Sequence, residues 1–105
     1  MRVTVAHNKT EQQVKAAVDH SMDQVFSAVA VGVVEFSEQH RHWHGNIMSF
    51  SLTARMGFIK TPIKGTVNVR PAELTIDVDL GVLENLIQQD TLRSSLENKV
   101  RGLLA

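Results

Sequence analysis

Alternation of apolar and polar residues between positions 47 and 80 constrains the fold of this chain more than any other feature of the sequence. Met48, Phe50 and Leu52 alternate with serine and threonine, and the segment from Leu74 to Leu80 repeats the pattern. Successive side chains of a β-strand point to opposite faces, so these runs predict strands that are buried on one side. The sequence therefore predicts an antiparallel sheet with one apolar face.

Three short turns are predicted to connect these strands, at Gly45–Asn46, Met56–Gly57 and Pro71–Ala72. A two-residue loop pairs residues whose numbers have a constant sum, so each turn fixes which side chains share a face. The second turn is predicted to place Phe50 opposite Ile63, and the third to place Val69 opposite Leu74. With Trp43 on the same side, all three turns indicate a single apolar face.

Two irregularities are expected in the sheet. In the period-two alternation, Val34 and Phe36 fall on the polar face of the sheet. This predicts a bulge near residues 37–39 that changes the face to which the side chains of the strand point. The alternative is that both are exposed or are buried against another element. Pro62 has no backbone N–H to donate, so we expect a bend or a change of strand pairing there.

Two helical regions flank the strands. Thr10 with Gln13 has the form of a capping box at the start of the first helix. The apolar residues that follow recur at the spacing of one helical face: Val14, Ala17, Val18, Met22, Val25, Phe26 and Val29. Lys15 and Asp19 are left on the outside of this helix. The last quarter is predicted to be helical in two pieces, from Val82 to Ile87 and from Asp90 or Thr91 onward. The second piece has the apolar stripe Leu92, Leu96, Val100, Leu103 and Leu104.

The predicted fold class is α+β, with the order β-α-β-β-β-β-α in one domain, residues 1–105. We expect a curled, mainly antiparallel sheet that is covered on one face by a long N-terminal helix and a C-terminal helix, in a helix-grip-like arrangement. The first strand is expected to lie beside the last strand and antiparallel to it.

Composition excludes several classes of protein. The formal net charge is zero, and no dense basic stripe is present, which argues against nucleic-acid binding. The sequence contains no cysteine, so neither a disulfide framework nor a thiolate metal site can form. No apolar run approaches the roughly 20 residues of a membrane span, and the first residues do not resemble a signal peptide. We therefore expect a cytoplasmic protein.

Polar clusters suggest no catalytic site. His40, His42 and His44 alternate on one strand and could in principle approach one metal ion, but no carboxylate lies at a supporting spacing. Asp77 and Asp79 are better explained as members of cross-strand charge pairs. We predict no catalytic residues, no cofactor, no metal site and no enzymatic activity, while metal binding by the three histidines stays an open alternative.

The inner face of the sheet is the candidate ligand site. A sheet that curls around a helix can enclose an apolar pocket, although a filled core is the simpler outcome for a chain of this length. The residues that would line such a pocket are Phe26, Trp43, Met48, Phe50, Leu52 and Ile63.

Several runs resemble one bacterial protein family. Residues 49–57 (SFSLTARMG), 61–65 (TPIKG) and 77–81 (DVDLG) are similar to the polyhydroxyalkanoic acid system protein family, as are Trp43-x-Gly45 and the terminal residues 100–104. The resemblance implies an accessory protein of polyhydroxyalkanoate storage, associated with granules. It implies no catalytic residues.

The sequence thus favours a non-enzymatic binding protein whose partner is another protein or a polyester granule surface, with exposed Val34, Phe36 and Phe58 as candidate contacts. The alternative is a small helix-grip carrier that binds an acyl chain or another apolar ligand between sheet and helix. The polar outer face is open either to solvent or to a second copy, as in a homodimer.

Overall fold

The computed structural model describes residues 1–29, 34–85 and 89–104, and the side chains of these residues except 22–29, 34, 36, 38 and 83. Within them the fold is α+β, with a five-stranded antiparallel sheet and two α-helices. The elements are β1 (Arg2–Ala6), α1 (Glu11–Val29), β2 (Val34–His44), β3 (Ile47–Met56), β4 (Ile59–Val69), β5 (Glu73–Asp79), a 3₁₀ turn (Gly81–Asn85) and α2 (Gln89–Leu104). The strand order is β1-β5-β4-β3-β2.

The first strand lies beside the last one, as predicted. β1 pairs with β5 in antiparallel register, with Val3 opposite Ile76 and Val5 opposite Leu74. β1 is therefore the only strand placed next to a strand that is distant in sequence, and the remaining strands of the described sheet form a meander. Val3 and Val5 are both buried, so β1 extends the apolar face that the later strands form.

Two of the three predicted turns are confirmed. Val69 lies opposite Leu74 across the Pro71–Ala72 turn, and Trp43 lies opposite Met48 across the Gly45–Asn46 turn. Gly45 has a φ of 63°, the left-handed conformation that the first central position of a tight hairpin turn requires.

The predicted β3–β4 turn is wrong by one residue. Gly57 and Phe58 form the loop, because Gly57, with a φ of 61°, occupies the first central position. Ile63 consequently lies opposite Leu52, and Phe50 lies opposite Gly65. The error shifts the pairing by two residues, which leaves every side chain on its predicted face.

Both predicted irregularities are present. The β2–β3 register shifts between Ser37 and His40, which is the expected bulge. The bulge places Val34 and Phe36 opposite Met56 and Ala54, while the side chains of both lie outside the described residues. Pro62 lies in the part of β4 that pairs with β3 alone, since the pairing of β4 with β5 begins at Lys64. A proline is tolerated there because the ladder requires no N–H from it.

The capping box of α1 is confirmed. The Gln13 amide donates to Thr10 Oγ1 at 3.1 Å, and the Thr10 amide donates to Gln13 Oε1 at 3.0 Å. Val14 and Val18 are buried in the same apolar cluster as the sheet, whereas the predicted positions from Met22 to Val29 lie outside the described side chains. The first half of α1 therefore packs on the core.

The C-terminal segment is helical in two pieces, as predicted. A 3₁₀ turn spans Gly81–Asn85, α2 begins at Gln89, and residues 86–88, including the predicted Leu86 and Ile87, lie outside the described residues. α2 buries the predicted stripe Leu92, Leu96, Val100 and Leu104. These leucines and the valine join the core formed by the inner face of the sheet.

Candidate functional site

An open groove of about 720 Å³ crosses the sheet on the face that points away from the core. Its walls are built from two rows of side chains that run across β2, β3, β4 and β5. One row is His40, Ser51, Lys64 and Asp79. The other row is His42, Ser49, Thr66 and Asp77. The groove is therefore made from residues far apart in the chain.

The floor of the groove depends on Gly65. A Cβ atom at this position would lie 2.4 Å from Phe50 Cζ and 2.4 Å from the Asp77 carbonyl oxygen. Phe50 is directly opposite Gly65 and is buried, so its ring fills the inner side where a side chain of residue 65 would lie. The glycine thus allows an aromatic ring to cover the strand from the core side, while the outer side stays open.

Of the two carboxylates on the β5 side of the groove, one is ion-paired and the other accepts a backbone hydrogen bond. Arg2 Nε donates to Asp77 Oδ1 at 2.7 Å, and this hydrogen bond together with the carboxylate charge raises the pKa of the Arg2 guanidinium. Asp79 Oδ1 accepts a hydrogen bond from the Gly81 amide at 3.0 Å. Both carboxylates therefore point at partners outside the centre of the groove.

Lys64 places a cation in the groove next to these carboxylates. Lys64 lies opposite Asp79 in the β4–β5 register, but within the described part of the chain its ammonium group has neither an ion pair nor a hydrogen bond. The His40 ring is likewise without a described partner, and both side chains are exposed. The groove consequently offers a lysine that is in no described ion pair, next to an Asp79 carboxylate that accepts its hydrogen bond from the Gly81 amide.

Polar contacts fasten α1 to the edge strand β2. Asp19 accepts a hydrogen bond from Trp43 Nε1 at 3.1 Å and forms an ion pair with Arg41 Nε at 3.2 Å. Lys15 Nζ donates to the Gly45 carbonyl at 2.8 Å and lies 5.1 Å from the centre of the Trp43 ring. Lys15 and Asp19 are half-exposed and lie off the buried face of α1, as predicted, but sequence reasoning did not predict their contacts with β2.

Glu11 extends the same contact by one helical turn. Its carboxylate accepts a hydrogen bond from the Asn46 side chain. Glu11, Lys15 and Asp19 are each four residues apart, so they form one stripe along α1. This stripe holds the β2–β3 hairpin against the helix.

The β3–β4 hairpin tip is apolar and fully open. Phe58 has a relative exposure of 108%, and its neighbour Ile59 is also exposed, which confirms the predicted exposure of Phe58. Arg55 and Lys60, directly opposite each other in the hairpin, are exposed beside this pair. Val82, another exposed apolar residue, follows Gly81, which packs against Thr61 and Pro62 at the start of β4. We call Phe58 and Ile59 the apolar tip.

The predicted inner-face site lies in the core. Met48, Phe50, Leu52 and Ile63 are buried in the main apolar cluster, and Trp43 packs against it in a half-buried position. The sixth predicted residue, Phe26, has its side chain outside the described residues. Binding of an apolar ligand by these residues stays a prediction.

The histidines lie on the outer face, as the turn positions predict. His40, His42 and His44 are exposed, and the rings of the last two are 5.9 Å apart, centre to centre. Within residues 1–29, 34–85 and 89–104, no group of three or more histidine, cysteine, aspartate or glutamate residues is placed to hold a metal ion.

Sequence reasoning missed the groove. It placed the histidines and aspartates on the outer face but treated them as solvated or mutually paired. The signal that could have found the groove is Gly65 opposite an aromatic residue, since this pairing is available only when the β3–β4 turn is placed at Gly57–Phe58.

Comparison with models of known protein families gives no match, and comparison with curated proteins gives none either. In the described part of the chain, neither helix combines the length and the apolar character needed to cross a membrane.

Proposed function

We propose that this chain is a non-enzymatic accessory protein that binds the apolar surface of a polyester storage granule in the cytoplasm through the apolar tip. The observation that carries the proposal is the full exposure of Phe58 at the end of a two-residue turn. A lone exposed apolar residue is ordinary, but adjacent exposed apolar residues at a projecting end mark a contact site. The resemblance to the polyhydroxyalkanoic acid system protein family selects the granule as that surface.

The chemistry of the hairpin supports insertion into an apolar surface. Arg55 and Lys60 flank the tip, and long basic side chains can lay their aliphatic stems along an apolar surface while the charged ends stay in water. Burial of one phenylalanine side chain contributes about 2 kcal/mol. The two residues of the tip together contribute roughly 3 kcal/mol, since Ile59 is already partly buried, before the cost of association is subtracted. Such an association is reversible, as an accessory protein requires.

Phe58→Ser is expected to weaken binding to particles of purified polyhydroxyalkanoate by roughly thirtyfold, because about 2 kcal/mol of burial is lost. The measurement is the fraction of protein that sediments with the particles as their concentration is raised. Circular dichroism should be unchanged, since an exposed side chain contributes little to the fold.

Ile47→Ser is the matched control. Ile47 is 42% exposed and lies at the other end of β3, far along the strand from the tip. Its replacement should leave sedimentation unchanged. Failure of the wild-type protein to sediment, or equal losses in both variants, would show that the apolar tip is not the contact.

A second candidate function is a carrier for an apolar ligand, with α1 lying across the sheet in the helix-grip manner. It is supported by the burial of Val14 and Val18 in the same cluster as the sheet's inner face. A carrier should bind dodecanoate at a ratio of one per chain and shift the methyl resonances of Leu52 and Ile63 in NMR spectra. Unchanged methyl resonances at saturating dodecanoate would rule out this function.

A further inference from the structure

The outer-face groove is a candidate site in its own right, separate from the apolar tip. Its volume of about 720 Å³ lies within the range of roughly 300–1,000 Å³ that small-molecule sites occupy. The groove crosses four strands, so its polar groups are held by the rigid sheet and not by a loop.

We infer that this groove binds a small organic anion through Lys64, His40 and Ser51. In the strand register Ser51 lies directly between the other two, opposite His40 on β2 and opposite Lys64 on β4. Directly opposed residues have their Cβ atoms about 5 Å apart, so an anionic group above Ser51 is within reach of both longer side chains. The hydroxyl group of Ser51 donates to it from below.

The distribution of charge selects an anion. Asp79 is the direct neighbour of Lys64, yet its Oδ1 is engaged by the Gly81 amide at 3.0 Å. Asp77 is paired with Arg2 at 2.7 Å. The ammonium group of Lys64 is therefore in no ion pair within the part of the chain that the structure describes, and Asp79 lies on the side of Lys64 that faces away from Ser51. A charge-assisted hydrogen bond from such a donor is stronger than one between neutral groups.

The ligand class is a small molecule that carries a carboxylate or a phosphate group. One lysine and two histidine side chains in a groove of this size suit one anionic group, whereas a nucleic acid would need a long basic stripe and stacking aromatic residues. The shared chemistry is an oxyanion that accepts hydrogen bonds from the ammonium group, the imidazole and the hydroxyl group.

The test is an NMR titration of the full chain with inorganic phosphate and, separately, with acetate, at constant ionic strength maintained with chloride. Saturable shifts of the backbone amides of His40, Ser51 and Lys64 are expected with at least one of the two anions, and the anion that gives them identifies the oxyanion class. Lys64→Gln should weaken the response at least tenfold. Asp79→Asn should strengthen it severalfold, because a neighbouring negative charge is removed while the acceptor oxygen for the Gly81 amide is kept.

Lys60→Gln is the matched control for the anion site. Lys60 is exposed on the same strand and the same face, four residues before Lys64, but it does not line the groove. Its replacement should leave the titration unchanged. Shifts that chloride reproduces, equal losses in the two lysine variants, or shifts that follow protein concentration because a second copy covers the face would each overturn the inference.

Discussion

Gly65→Val is expected to lower the free energy of unfolding by about 3 kcal/mol, measured by urea denaturation. A Cβ atom at residue 65 would come within 2.4 Å of the Asp77 carbonyl oxygen and within 2.4 Å of Phe50 Cζ. The carbonyl oxygen belongs to the backbone of β5, so relief requires the whole strand to shift. The Phe50 ring is buried and cannot turn away without displacing other core residues.

Gly102→Ala provides the control for this substitution. Gly102 lies in α2, and a Cβ atom there would meet nothing within 4 Å. Alanine should stabilise the protein by about 0.5–1 kcal/mol, since glycine is a poor helix former. If Gly65→Val left stability unchanged or raised it, the close approach of Phe50 and β5 to Gly65 would be wrong.

Leu74→Ala is expected to cost about 3 kcal/mol, because it leaves a cavity at the centre of the sheet. Leu74 has a relative exposure of 0% and lies between Val5 on β1 and Val69 on β4. The loss should appear as a lower urea midpoint with an unchanged slope, since the substitution hardly changes the amount of surface that unfolding exposes.

Thr75→Ala tests the face assignment directly. Thr75 is the next residue of β5, opposite Thr4 on β1, and its side chain belongs to the outer face. Its replacement should change the free energy of unfolding by less than about 1 kcal/mol. A loss equal to that of Leu74→Ala would mean that the two faces of β5 have been exchanged.

Much of the sheet is readable from the sequence because period-two alternation identifies both the strands and their buried side. The β3–β4 register shows the limit of this information. Pairing Phe50 with Ile63 or with Gly65 leaves the same residues on the same face, so alternation cannot distinguish them. The conformation of Gly57 decides between them, because the first central residue of the turn must adopt a positive φ.

The candidate sites are harder to predict from the sequence, because they depend on side chains that meet across the sheet. Helical spacing assigns Asp19 to the outside of α1, and only the return of β2 brings Arg41 and Trp43 to it. Among the described residues Lys64 has no ion pair because Asp79 turns toward the Gly81 amide, and no local sequence pattern indicates this contact. Exposure of Phe58 follows from the turn and could be predicted from the sequence alone.

The bulge between Ser37 and His40 also limits strand pairing at the β2 edge of the sheet. β2 is an edge strand of the described sheet, and an edge of eleven residues offers a row of backbone donors and acceptors to any extended chain. The register shift interrupts that row, so an incoming strand can match only one side of the bulge at a time. Exposed charged and imidazole side chains, including Glu35, Arg41 and His42, make such pairing still less favourable. The bulge in β2 therefore also protects the sheet against fibrillar growth from this edge.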